Sequence, residues 1–125
     1  MNIEFIFSEF GLRSKANQPG SFTDEHRLDP TYSSVKQYFP DAKLTLYTDT
    51  VEFGNNYPDV EVRFVDVDKS PFSRSNHRWG WHCCDYYEAK GLLESEADIA
   101  ISVDSDLMFV SDDVKTLLPI TEKFG

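Results

Sequence analysis

The run "IAISVDSDLMFV", residues 99 to 110, places two aspartates one serine apart at the end of an apolar stretch. Successive side chains of an extended segment point to opposite sides, so Asp104 and Asp106 share one side while Ser105 faces away. Two carboxylates in one small volume repel, and either a shared proton or a divalent cation relieves the repulsion. Mg²⁺ or Mn²⁺ suits such oxygen ligands and keeps positions open for water and for the oxygens of a diphosphate. The apolar strand before the pair and "LMFV" after it predict that the pair lies between two buried segments. A buried carboxylate there needs a cation or hydrogen-bond donors. An aspartate pair capping the turn after a strand is the simpler structural use of the same tripeptide.

Several elements must position that pair. "IEFIF", residues 3 to 7, is an apolar run of β-formers interrupted only by Glu4. From Ser8 to Pro30 the chain is rich in Gly, Pro, Ser, Asn and charge, a long loop of the kind that covers sites, with His26 and Arg27 its groups able to reach a phosphate. A helix then starts at Asp29 with Pro30 in a first-turn position. It sets Tyr32, Val35 and Phe39 on one face and stops at Pro40. "AKLTLYTD" and "EVRFVDV" read as the second and third strands, the latter through near-alternation of Val60, Val62, Phe64 or Val65, and Val67.

"HRWGWHCCDYYEAKGLLESE" predicts a long helix, because Trp79, Cys83, Tyr86 and Tyr87, Lys90 and Leu93 recur at helical spacing. Gly80 and Gly91 each weaken it by about 1 kcal/mol relative to alanine. Its tryptophans and tyrosines are best used in the core, Cys83 and Cys84 as small buried apolar residues, and His77 and His82 have no chemical role. "DIAISVD" is the fourth strand, and "DDVKTLLPI" holds a helical turn. Strand, helix, strand, strand, helix, strand is the order of an α/β sheet with helices on its faces. Ligands of such sheets bind beyond the carboxyl ends of the strands. Ser8, Thr48, Asp49 and Asp104 all fall at such ends.

Composition limits the partners. Twenty-two acidic against twelve basic side chains give 125 residues a formal charge of −10, which excludes sequence-independent grip on nucleic acid or an anionic bilayer. An anionic ligand therefore needs a local cation or well-placed arginines. A diphosphate carries more charge than one divalent ion cancels, and a guanidinium binds it bidentately, a role open to an arginine such as Arg78 or Arg74. No apolar run is long enough to span a bilayer, and "MNIEFIF" lacks the basic flank of a secretory signal, so the expected address is cytoplasmic. The adjacent cysteines exclude a disulfide scaffold and leave no zinc-binding pattern. The length suits a single domain spanning residues 1–125.

"ADIAISVDSDLMFVSDD", preceded by an aromatic and basic helix and upstream by "SSVKQYFPDAKLTLYTD", resembles the N-terminal half of a GT-A-fold glycosyltransferase of the glycogenin-like superfamily. The resemblance covers most of residues 31 to 118. It implies a Rossmann-like GT-A sheet flanked by helices, and a nucleoside-diphosphate sugar, foremost a UDP-sugar, as donor. It further implies Mn²⁺ or Mg²⁺ held by the D-x-D motif: Asp106 as the more direct ligand, Asp104 shared between metal and nucleotide ribose. The nucleotide would lie near Ser8, Thr48 and Asp49, with Arg78 facing the donor. A whole domain of that superfamily is longer, its second half supplying the acceptor surface, a further metal ligand and any catalytic base, so the resemblance implies an incomplete, N-terminal portion. Two other readings compete. A haloacid-dehalogenase-like phosphatase would use Asp104 as phosphoryl acceptor and Asp106 as acid, but Met108 stands where that pattern has threonine or valine. A small non-catalytic α/β binding or assembly module would use its acids for solubility alone.

Overall fold

A computed structural model describes residues 1–10, 28–50, 55–66, 79–104 and 107–117, with the backbone alone for 79–82 and 117. The protein is α/β: a four-stranded parallel sheet flanked by two helices. In chain order the elements are β1 (Ile3–Glu9), α1 (Asp29–Tyr38), β2 (Lys43–Thr48), β3 (Glu61–Phe64), α2 (Trp79–Glu94), β4 (Ile99–Ser102) and a 3₁₀ turn, Asp113–Leu117. Among the described residues no helix is long and apolar enough to cross a membrane.

The sheet order is β3-β2-β1-β4. β1 is central, with Phe5 level with Leu44 on one side and with Ile101 on the other. A parallel strand covered on both faces must be apolar on both, which explains why Phe5, Ile6 and Phe7 stand consecutively in β1. Its odd residues Phe5 and Phe7 join Leu44, Leu46 and Val103 against Leu28, Val35 and Phe39, the helix face that the sequence predicts for α1. Its even residues Ile6 and Phe10 join Tyr47, Val65 and Cys83 on the α2 side. The two helices therefore cover opposite faces. Connections that run first from β1 toward β3 and then back past β1 to β4 require this if both crossovers have the usual hand.

Glu4, the one charged residue inside the first apolar run, is only 3% exposed. The hydroxyls of Thr45 and Ser95 each donate to its carboxylate at 2.5 Å, and Lys43 Nζ stands 3.7 Å away. Burial pushes this carboxyl up, but the Ser95 and Thr45 hydrogen bonds and the charges of Lys43 and Arg63 outweigh burial and hold it below the usual range.

After β4 the chain crosses α1 as an extended strap. Phe109 alone of "LMFV" packs into the core, edge-on to Phe5 and Phe39 at 5.5 and 5.4 Å between ring centres. The expectation that apolar segments wall the aspartates on both sides is thus corrected. Leu107 is 38%, Met108 59% and Val110 76% exposed, because the strap is held to α1 chiefly through its backbone and inserts a single ring.

The buried face of α2 also differs from the predicted one. Cys83, Cys84 and Tyr87 face the sheet, whereas Tyr86 and Lys90 are exposed and Leu93 is 88% exposed. Gly91 sets this rotation. A Cβ there would lie 2.9 Å from both Ile6 Cγ2 and Tyr47 Cε2, so the helix touches the sheet where it has no side chain. Gly91→Ala gains about 1 kcal/mol of helix propensity, yet it forces a methyl into the fully buried Ile6 and the Tyr47 ring, an overpacking cost of about 1–3 kcal/mol. Urea denaturation should show a net loss of stability; a gain would mean that α2 does not approach this closely.

Candidate functional site

The chain leaves β1 toward β2 and returns to β4 on the other side of β1, so the carboxyl ends of β1 and β4 flank the point where the winding of the sheet reverses. Open α/β sheets bind ligands at this crevice. Ser8, next to the end of β1, is buried on the α2 side. The amide of Val103 donates to Ile6 O at 3.0 Å, carrying the β4 line one residue past Ser102, and Asp104 follows at the rim, exposed to solvent.

Glu88 of α2 joins these two residues. The Ser8 hydroxyl hydrogen-bonds to its carboxylate, and the charges of Asp104 and Asp85 act on it. Burial first, then those two carboxylates, push Glu88 up to about 7, against the opposing hydrogen bond from Ser8. Ser8 is also within hydrogen-bonding reach of Cys84, whose thiol is pushed up to about 11, chiefly by burial and further by Glu88, Glu9 and Cys83. At neutral pH that thiol stays protonated and is no nucleophile. The acid that burial forces to hold a proton is therefore Glu88, whereas the sequence assigns that difficulty to Asp104 and Asp106. Glu88 was legible in principle: it lies four residues after Cys84 and three before Gly91, an acid on the buried stripe of its helix.

The other predicted site residues separate. Thr48 and Asp49 lie at the carboxyl end of β2, one strand over from Ser8. Thr48 Oγ1 accepts the Thr50 amide at 3.0 Å and so caps the turn after β2, and Thr50 Oγ1 donates to Asp49 Oδ1 at 3.2 Å. Ser8 and Asp104 converge on Glu88, whereas the Thr48 hydroxyl is engaged in its own turn. Asp106, Arg78, Arg74, His77, His26 and Arg27 lie outside the described residues, as do the side chains of Trp79, Trp81 and His82.

Among the described residues no three His, Cys, Asp or Glu side chains stand together as metal ligands. The donor chemistry nonetheless suits a hard divalent cation. Asp104 offers carboxylate oxygens to solvent beside a second carboxyl, and the same mutual repulsion that raises Glu88 is relieved by a nearby cation. Comparison with protein-family models, with curated proteins and with solved structures yields no match, so the site is read from its own chemistry.

The Glu88 shift has a measurable sign. A carboxyl that binds its proton more tightly when folded than at its ordinary 4.5 favours the folded state at low pH, and that advantage is lost as pH rises from 4.5 through about 7. Glu88→Gln removes the titration. The difference in melting temperature, variant minus wild type, should therefore grow between about pH 5 and pH 8. Parallel melting curves across that range would show that Glu88 titrates as an ordinary surface acid.

Proposed function

We propose that this chain is the donor-binding portion of a metal-dependent glycosyltransferase, its sheet a Rossmann-like GT-A sheet and its ligand a nucleoside-diphosphate sugar, foremost a UDP-sugar. The observation that carries this reading is the placement of Ser8 and Asp104. They stand at the adjacent carboxyl ends of β1 and β4, where the sheet reverses its winding, and the charge of Asp104 is felt by Glu88, which Ser8 meets. The D-x-D pair begins at that rim.

In this reading Asp104 and Asp106 would hold Mn²⁺ or Mg²⁺, which would supply positive charge to a leaving diphosphate. Asp104, being exposed, is free to turn one oxygen toward a ribose hydroxyl. Arg78, just before α2, pairs with the diphosphate through its guanidinium. Ser8, Thr48 and Asp49 border the nucleotide, with Thr48 acting through the turn it caps rather than through a free hydroxyl. Glu88, pushed up to about 7, carries less than a full negative charge at neutral pH and so lessens the repulsion met by an entering diphosphate.

UDP with Mn²⁺ at a hundredfold excess over Kd should stabilise the wild-type protein by about 2.7 kcal/mol, a rise of about 10 °C in melting temperature for a domain of this size. Asp104→Ala and Asp106→Ala should each abolish most of that rise while keeping the melting temperature of the free protein. An equal rise in the Asp106→Ala protein, or none in the wild type, removes the basis of the proposal and leaves the non-catalytic module as the better reading.

A further inference from the structure

We propose that the hydroxyls of Thr31 and Ser34 on α1 are positioning groups for Asp104, acting on it through the backbone of residues 107 to 109. The inference rests on the metal-binding reading above and extends it to residues far from the motif in sequence. Asp104 is exposed, and a metal-ligating carboxylate has to be held by what surrounds it. On its N-terminal side the hold is the sheet, through the Val103 amide on Ile6 O. On its C-terminal side the Leu107 amide donates to Asp104 O at 3.2 Å, so the main-chain position from which the Asp104 carboxylate projects is tied to Leu107.

Leu107 is fixed by α1. The Thr31 hydroxyl donates to the Leu107 carbonyl. The Ser34 hydroxyl accepts the Phe109 amide at 2.9 Å and donates its own proton to Thr31 O at 2.9 Å, so both of its roles are taken and its direction is set. Both hydroxyls are buried, where an apolar side chain would cost less unless these bonds were made. Between them the Phe109 ring wedges onto Phe5 and Phe39 and prevents the strap from sliding along the helix. Direct contacts thus run from Thr31 to Leu107 and from Leu107 to the Asp104 backbone, while Ser34 holds the strap two residues on, at Phe109.

Mn²⁺ alone is the probe, titrated into the full chain with free Mn²⁺ followed by electron paramagnetic resonance. Thr31→Val and Ser34→Ala should each weaken Mn²⁺ binding by about tenfold, as loss of a ligand's supporting hydrogen bonds does elsewhere. Thr31→Ser, which keeps the hydroxyl, should bind as the wild type does, and Asp104→Asn should lose binding. Amide exchange at Phe109 should accelerate in Ser34→Ala. Unchanged affinity in folded Thr31→Val and Ser34→Ala proteins, with binding still dependent on Asp104, overturns the positioning role and leaves the metal site standing. Absence of Asp104-dependent binding in the wild type overturns the metal site itself, and this inference with it. Should Thr31→Val fail to fold, Ser34→Ala, which deletes a single oxygen, decides the matter alone.

Discussion

The contact between Gly91 and the side chains of Ile6 and Tyr47 governs the geometry of one whole side of this molecule. With no Cβ at that point, α2 can lie directly on the two central strands, and its rotation about its own axis follows. Cys83, Cys84 and Tyr87 then turn inward, and Glu88, on the same stripe, arrives over the carboxyl end of β1 beside Ser8. A methyl group at position 91 would lift the helix or turn it. Either movement would part Glu88 from Ser8 and from the rim where Asp104 stands.

β1 and the α2 region exchange a carboxyl and a hydroxyl at both ends of their contact, with opposite electrostatic results. At the amino end the strand supplies the acid, Glu4, and Ser95 just after the helix supplies the hydroxyl. At the carboxyl end the helix supplies the acid, Glu88, and the strand supplies Ser8. Glu4 has two hydroxyl donors and nearby cations, so it stays ionised although almost wholly buried. Glu88 has one donor and faces two further carboxylates, so it holds its proton up to neutrality. Burial is common to both; the sign of the neighbouring charge separates a structural acid from one poised to change state.

Much of the fold was legible because its signals are local. The apolar run of β1, Pro30 and Pro40 around α1, and the spacing of Val35 and Phe39 all act within a few residues. The failures arise where long-range packing decides. Tyr86 and Leu93 satisfy helical spacing as well as the residues that are buried, and the residue that selects the face is a glycine, invisible to any count of apolar side chains. "LMFV" reads as a buried segment, yet an extended strap over a helix hides only Phe109. Of the site, the strand ends bearing Ser8 and Asp104 could be found from the order of elements. Glu88 could not be weighed until its distance from those ends was fixed by the sheet.

The strap over α1 carries a consequence for how the chain is made. The helix residues Thr31, Ser34 and Tyr38 find their partners at Leu107, Phe109 and Val110, separations of 76, 75 and 72 residues. While the polypeptide emerges from the ribosome, the face of α1 bearing Thr31, Ser34 and Tyr38 has nothing to close against until residues 107 to 110 have been synthesised. Contacts of such long range slow folding, so this layer of the domain stays open, with buried-to-be hydroxyls still wet, until residues 107 to 110 have arrived.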